Sequence, residues 1–143
     1  MPWDAGGSEA VVLKDPNDEA VKKQTADLLK KLAADPANGI AQVIGDGIIK
    51  KDGGDVQASF WVDFTPGYEG GRKLVSAMVT AGSIKGTHGY FPDHPEMRAA
   101  FFIDGPGVPN KGSIGEIDMR RIAPTVAKIL DVSLPTAKQK PLF

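Results

Sequence analysis

The segment 55-DVQASFWVDF-64 alternates with a period of two. Val56, Ala58, Phe60, Val62 and Phe64 fall on one side, and Asp55, Gln57, Ser59, Trp61 and Asp63 on the other. Successive side chains of a strand point to opposite faces, so this pattern predicts a strand with one packed face and one more polar face. Lys50-Lys51-Asp52-Gly53-Gly54 marks a turn before it, and Pro66-Gly67 with Gly70-Gly71 closes it. Working towards the amino terminus, Ile40 to Ile44 reads as a short strand followed by a turn at Gly45-Asp46-Gly47. Before that lies a helix. Asp15-Pro16 supplies an N-cap with proline at the first helical position, and Asp18 and Glu19 complement the dipole. Val21, Leu28, Leu29 and Leu32 share its apolar face, with Ala26 and Ala33 nearby and the lysines outward. Ala10-Val11-Val12-Leu13 suits a buried strand.

Towards the carboxyl terminus, Leu74 to Val79 reads as a further strand and Ala81 to Pro95 as loop. Met97 to Ile103 is apolar enough for a strand buried on both faces, as in a mixed or parallel sheet. Asp118-Met119-Arg120-Arg121 predicts one helical turn. Pro124 then suits the first position of a helix carrying Val126, Ile129 and Leu130 inward. The tail from Pro135 to Phe143 has no periodicity and is expected to be extended or loose. The order of strand, helix, several strands and helix is that of an α/β layer arrangement. Neither a repeat nor a linker divides residues 1–143, so the expectation is a single, partial domain.

Composition narrows the function. Of the 143 residues, 41% are hydrophobic and 24% charged, as in an ordinary globular protein. No apolar run approaches the roughly 18 residues of a membrane span. The amino terminus, MPWDAGGSEA, lacks the basic flank and apolar core of a secretory signal. A net charge of −1 argues against recognition of a nucleic-acid duplex. Lys22-Lys23 and Lys30-Lys31 alternate with Asp18, Glu19 and Asp27, which describes a solvated helix face. The absence of cysteine excludes disulfides, thiolate nucleophiles and cysteine-based zinc sites, so any metal must be held by imidazole and carboxylate.

Both histidines of the chain lie in one stretch, 86-GTHGYFPDHPEMRAAFFIDGPGV-108. Five residues separate His88 from His94, within the loose spacing of zinc-ligand histidine pairs, and Asp93 and Glu96 offer oxygen ligands. Two histidines are nonetheless half of a closed site at best. No serine stands in a nucleophile elbow, and Thr87 beside His88 is only a sequence neighbour. Gly105-Pro106-Gly107 and Gly112-Ser113-Ile114-Gly115 fit neither a phosphate loop nor a dinucleotide fingerprint. Taken alone, the residues describe an α/β piece with a histidine-bearing loop and no catalytic group.

The same stretch carries a resemblance. Gly86-Thr87-His88-Gly89-Tyr90, Pro92, Pro95-Glu96-Met97-Arg98-Ala99, Phe101 and Gly105-Pro106-Gly107 resemble the carboxyl-terminal signature of the type I phosphodiesterase/nucleotide pyrophosphatase family, within the alkaline phosphatase superfamily. Ile117 to Val126, followed by Leu130-Asp131-Val132, resembles that family's final helix. The resemblance runs from Ala10 onward and is specific in the second half. It implies the carboxyl-terminal part of an alkaline-phosphatase-like α/β sandwich with a mixed, partly parallel sheet. It also implies two zinc ions held by aspartates and histidines, and a Thr or Ser nucleophile that attacks phosphate esters. The histidine of the family's G-x-H-G motif is the last zinc ligand in chain order, which here is His88 alone. His94 matches no family ligand and reads as a loop or surface histidine. Phe91 departs from the pattern, since many relatives carry Asp after the Tyr.

The nucleophile and the other zinc ligands of that family have no counterpart in Met1 to Thr87. The sequence therefore reads as the carboxyl-terminal fragment of a longer zinc-dependent phosphodiesterase or phosphatase acting on small-molecule phosphate esters. It supplies one zinc ligand and is inactive by itself. The competing expectation is a non-catalytic binding or interaction module that keeps the family scaffold. A cut sheet would expose strand edges, so self-association is also expected. Relatives of the family are often periplasmic or secreted.

Overall fold

A computed structural model describes residues 2–71, 77–83, 85–109 and 112–143. The chain is α/β and divides into two compact units, Met1–Arg98 and Ala99–Phe143. In the first unit, strands β1 (Pro2–Asp4), β2 (Ser8–Val11), β3 (Ile40–Gly45) and β4 (Phe60–Phe64) form a four-stranded sheet in the order β1-β2-β4-β3. Every pairing is antiparallel. The expected parallel component is not supported. Its basis was the 97–103 segment, and residues 98–103 form no strand, with Phe102 90% exposed. A strand needs a neighbour to complete its hydrogen-bond ladder, and apolar composition alone does not supply one. Of the predicted strand at 74–79, residues 74–76 lie outside the described residues, and 77–79 form a bend.

Helix α1 (Glu19–Ala33) begins later than the sequence suggests. Asp18 is the N-cap, accepting the Val21 amide at 3.0 Å, while Asp15 accepts the Asn17 amide in a preceding turn. Asp18 wins because its side chain reaches the orphan amide of the first helical turn. The helix buries Leu29 with Ala26, and leaves Leu28 55% exposed, one step round from the expected stripe. The predicted turn at residues 45–47 is instead the entry to a short helix, α2 (Asp46–Lys51). Asp46 in its first turn bonds Lys50 one turn later at 3.0 Å and also meets Lys22 of α1 at 3.4 Å.

Directly opposed residues of paired strands share a face. The registers therefore place Val11, Phe60, Val62, Val43, Ile40 and Phe64 on one face, where Leu29 and Ala26 of α1 cover them. The opposite face carries Ser8, Ala10, Trp61, Asp63, Gln42 and Ile44. Ile49 of α2, Ala58 and Phe91 pack against its apolar part. The face expected to be more polar is thus covered in part by the histidine-bearing loop. A β-bulge between Ile40 and Gln42 decides one further detail. It turns Gln42 onto the face of Asp63, whereas unbroken alternation would have kept it beside Ile40.

In the second unit a single 3-10 turn, Met119–Arg121, leads into α3 (Ile122–Ile129). Pro124, Thr125 and Ala127 are its buried residues, whereas Val126 is 40% and Leu130 64% exposed, opposite to the predicted inward face. The helix starts at Ile122, two residues before Pro124, and Ile129 of the predicted face is half-buried. The tail is irregular but tied down. Arg121 donates to the carbonyl oxygens of Lys140 and Pro141 at 3.1 and 2.8 Å, and Leu142 N–H donates to Thr125 Oγ1 at 2.9 Å. Among the described residues no helix is long and apolar enough to cross a membrane.

Candidate metal centre and the histidine loop

The loop bearing both histidines lies against the sheet of the first unit and is fastened at several points. The Gly7 amide donates to the His88 carbonyl oxygen at 2.7 Å, and the Ser8 hydroxyl donates to the Gly89 carbonyl oxygen. The Phe91 amide donates to Asp63 Oδ1 at 2.8 Å. Tyr90 donates its hydroxyl to the Tyr68 carbonyl at 2.9 Å and accepts the Gly67 amide at 3.2 Å. Gly89 has φ +78°, and a Cβ on it would overlap the Ala5 carbonyl oxygen. Only glycine gives both the left-handed backbone and that close approach. Gly7 in turn lies flat against the Tyr90 ring, leaving no room for a side chain.

Asp63 is the centre of this fastening. It stands on β4, is fully buried, and accepts from three groups, two on the histidine loop and one on β3. Oδ1 takes the Phe91 amide; Oδ2 takes Gln42 Nε2 at 3.1 Å and His94 Nε2 at 2.6 Å. A carboxylate oxygen in this pair can only accept, so the imidazole N–H is the donor. Of the two expectations for His94, loop or surface, it is a loop histidine whose side chain is only 14% exposed. Its ring also tilts against Tyr90, with centroids 5.5 Å apart. The hydrogen bond to Asp63 raises the His94 pKa above the ordinary histidine value, with help from the charges of Asp63, Asp93 and Glu96 and against its burial.

Ligand atoms of Asp63, Asp93 and His94 lie within 4.8 Å of one another, close enough to hold a metal ion. The hydrogen bonds describe how those donors are used within the chain. Gln42 Nε2 lies 3.3 and 3.2 Å from the two Asp93 oxygens and bridges them to Asp63, as a cation would. An ion would also have to displace the His94 N–H from Asp63 and take the deprotonated ring nitrogen. The arrangement is a hydrogen-bonded hub whose chemistry, as it stands, is that of an ion pair. Nothing in it selects zinc.

His88 is placed differently. It is not a member of this cluster, and neither is Glu96. The spacing of the two histidines therefore does not bring them into one site. His88 is exposed, and its imidazole makes no hydrogen bond among the described residues. No protein-family model, curated protein or solved structure matches this chain.

Sequence reasoning missed Asp63 because an aspartate on the polar side of an alternating strand reads as solvated. The available signal was Trp61, two residues before it on the same side. So large an aromatic on a supposedly open face indicates that something covers that face. Gln42 had no comparable signal, because the bulge that redirects it depends on pairing with β4.

Proposed function

We propose that this chain is the carboxyl-terminal portion of a zinc-dependent hydrolase of small-molecule phosphate esters, of the phosphodiesterase/nucleotide pyrophosphatase kind, to which it contributes His88 and no nucleophile. One observation carries the reading. The backbone around His88 is fixed, with the His88 and Gly89 carbonyls and the Phe91 amide bonded to Gly7, Ser8 and Asp63, while the His88 ring is exposed and makes no hydrogen bond among the described residues. A loop held this firmly around an idle imidazole suits a side chain that serves as a donor to something outside the chain. Neutral imidazole is a good zinc donor at neutral pH.

The fit to zinc is that of one ligand among several. A catalytic zinc takes about three protein donors and an open position, so its remaining donors belong to other polypeptide in this reading. When bound, such ions stabilise the attacking and leaving oxygens of a phosphoryl transfer. This chain's part is to hold one imidazole in place and to cover the sheet beneath it.

Two measurements test the proposal. Zinc added to the full 143-residue chain should perturb the His88 ring resonances weakly, and His88→Ala should abolish most of the binding. The product of the whole gene should hydrolyse a nitrophenyl phosphodiester with zinc and lose that activity on His88→Ala. Zinc binding indifferent to His88, or full activity without its ring, overturns the proposal. Activity absent from the whole product would favour a non-catalytic binding module.

A further inference from the structure

We propose that Asp63 and His94 are positioning residues for His88, a buried pair that holds the histidine loop to the sheet and so fixes where the His88 ring is presented. The inference rests on the reading of His88 as a donor to an external ion, but its structural half can be tested independently. His94 lies six positions after His88 in the same loop, and Asp63 lies on the strand beneath. One carboxylate takes the Phe91 amide on Oδ1 and the His94 ring on Oδ2, so it grips the loop at two places. The carbonyls of His88 itself and of Gly89 are held by Gly7 and Ser8 at the entry to β2. His88 stands at the first of these two anchorages, and of the two imidazoles its ring is the exposed one.

The geometry also gives the pair a task that apolar packing would not perform. Asp63 is fully buried: Oδ1 takes its donor from the loop through the Phe91 amide, while Oδ2 takes His94 beside Gln42 of β3, so unseating the loop strips one oxygen and weakens the satisfaction of the other. Tyr90, just before Phe91, adds a hydroxyl bonded to the Tyr68 carbonyl, so the loop is read by β4 and by the segment that follows it. Asp93 and Glu96 are the other charged groups facing His94, both from its own loop. The imidazole shares the carboxylates with Gln42 Nε2 of β3, and of these two donors it alone can carry a charge.

The test uses the full chain with two substitutions, His94→Gln, which keeps an N–H donor, and His94→Leu, which removes it. Amide exchange is read at Phe91 and at Gly7, the two amides that report the anchorages, and at Val62 in the sheet core as control. His94→Leu should speed exchange at Phe91 and Gly7 about tenfold or more, as expected for losing a hydrogen bond to a charged group. His94→Gln should stay within about threefold of the wild type, and Val62 should be unchanged in both. Equal acceleration by both variants, acceleration shared by Val62, or none at all overturns the positioning role. A zinc titration of the same three proteins, followed at the His88 ring, separates the two ideas. Weaker zinc response in His94→Leu, rescued in His94→Gln, supports the positioning of His88. No His88 response even in the wild type defeats the donor reading and with it that positioning, whatever the exchange data show about the loop.

Discussion

His94 Nε2 lies 2.6 Å from Asp63 Oδ2 across 31 residues of sequence, and it joins the histidine loop to the middle of the sheet. Neither partner is identifiable from the other's neighbours in the chain. Their pairing gives the loop a fixed position, and several consequences can be measured.

The first concerns pH. His94 is raised above the ordinary histidine value of about 6.5, so its pairing stabilises the fold fully below that pH. The contribution is lost as pH rises through the raised His94 value, because the neutral ring bonds Asp63 less strongly. Urea unfolding of the wild type and His94→Gln should differ most in mildly acidic buffer and converge in alkaline buffer. A constant difference would contradict the assignment.

Asp63→Ala should be severely destabilising. It strands the Phe91 amide, the His94 ring and the Gln42 amide in a buried site, at a cost of about 3 kcal/mol. Asp63→Asn keeps an acceptor for Phe91 and should cost less. Equilibrium unfolding midpoints rank the two.

Glycine positions in the loop should differ sharply. Gly89→Ala meets both a left-handed backbone and the Ala5 carbonyl, and should cost about 2 kcal/mol or more. Gly86→Ala meets nothing within 4 Å and should fall within about 0.5 kcal/mol of the wild type. Thermal denaturation of the pair is the direct comparison.

In the second unit, Thr125 donates to the Arg121 carbonyl at 2.6 Å and accepts the Leu142 amide at 2.9 Å while fully buried. Thr125→Val keeps the shape and loses both bonds, which should cost about 1–2 kcal/mol. Exchange of the Leu142 amide should rise, and that of the first unit should not.

Strands β1 and β3 are the outer strands of the sheet, each with one edge unpaired by another strand among the described residues. Such edges favour pairing between copies. Sedimentation velocity over a range of concentrations should show a concentration-dependent dimer, and a sharp monomer at the highest concentration would count against it.

Much of the local structure was legible in the sequence. The 60–64 core of the alternating strand, the β3 strand, the body of α1 and the 3-10 turn before α3 all follow from periodicity and capping chemistry, which act over a few residues. Boundaries were less so: two aspartates, Asp15 and Asp18, competed for one cap, and only the helix geometry chose Asp18. The 97–103 segment failed because hydrophobicity gives no strand without a neighbour to pair with.

By itself the sequence determined where chain direction changes, which residues are apolar enough to be covered, and that His88 sits between two glycines in a loop. Tertiary structure alone decided what covers the second face of the sheet, and therefore that Asp63 is buried and His94 is its partner. The reason is one of range. Backbone propensities and side-chain periodicity are set by neighbours within a turn or a pleat, whereas a buried carboxylate acquires its donors from segments that only folding brings together.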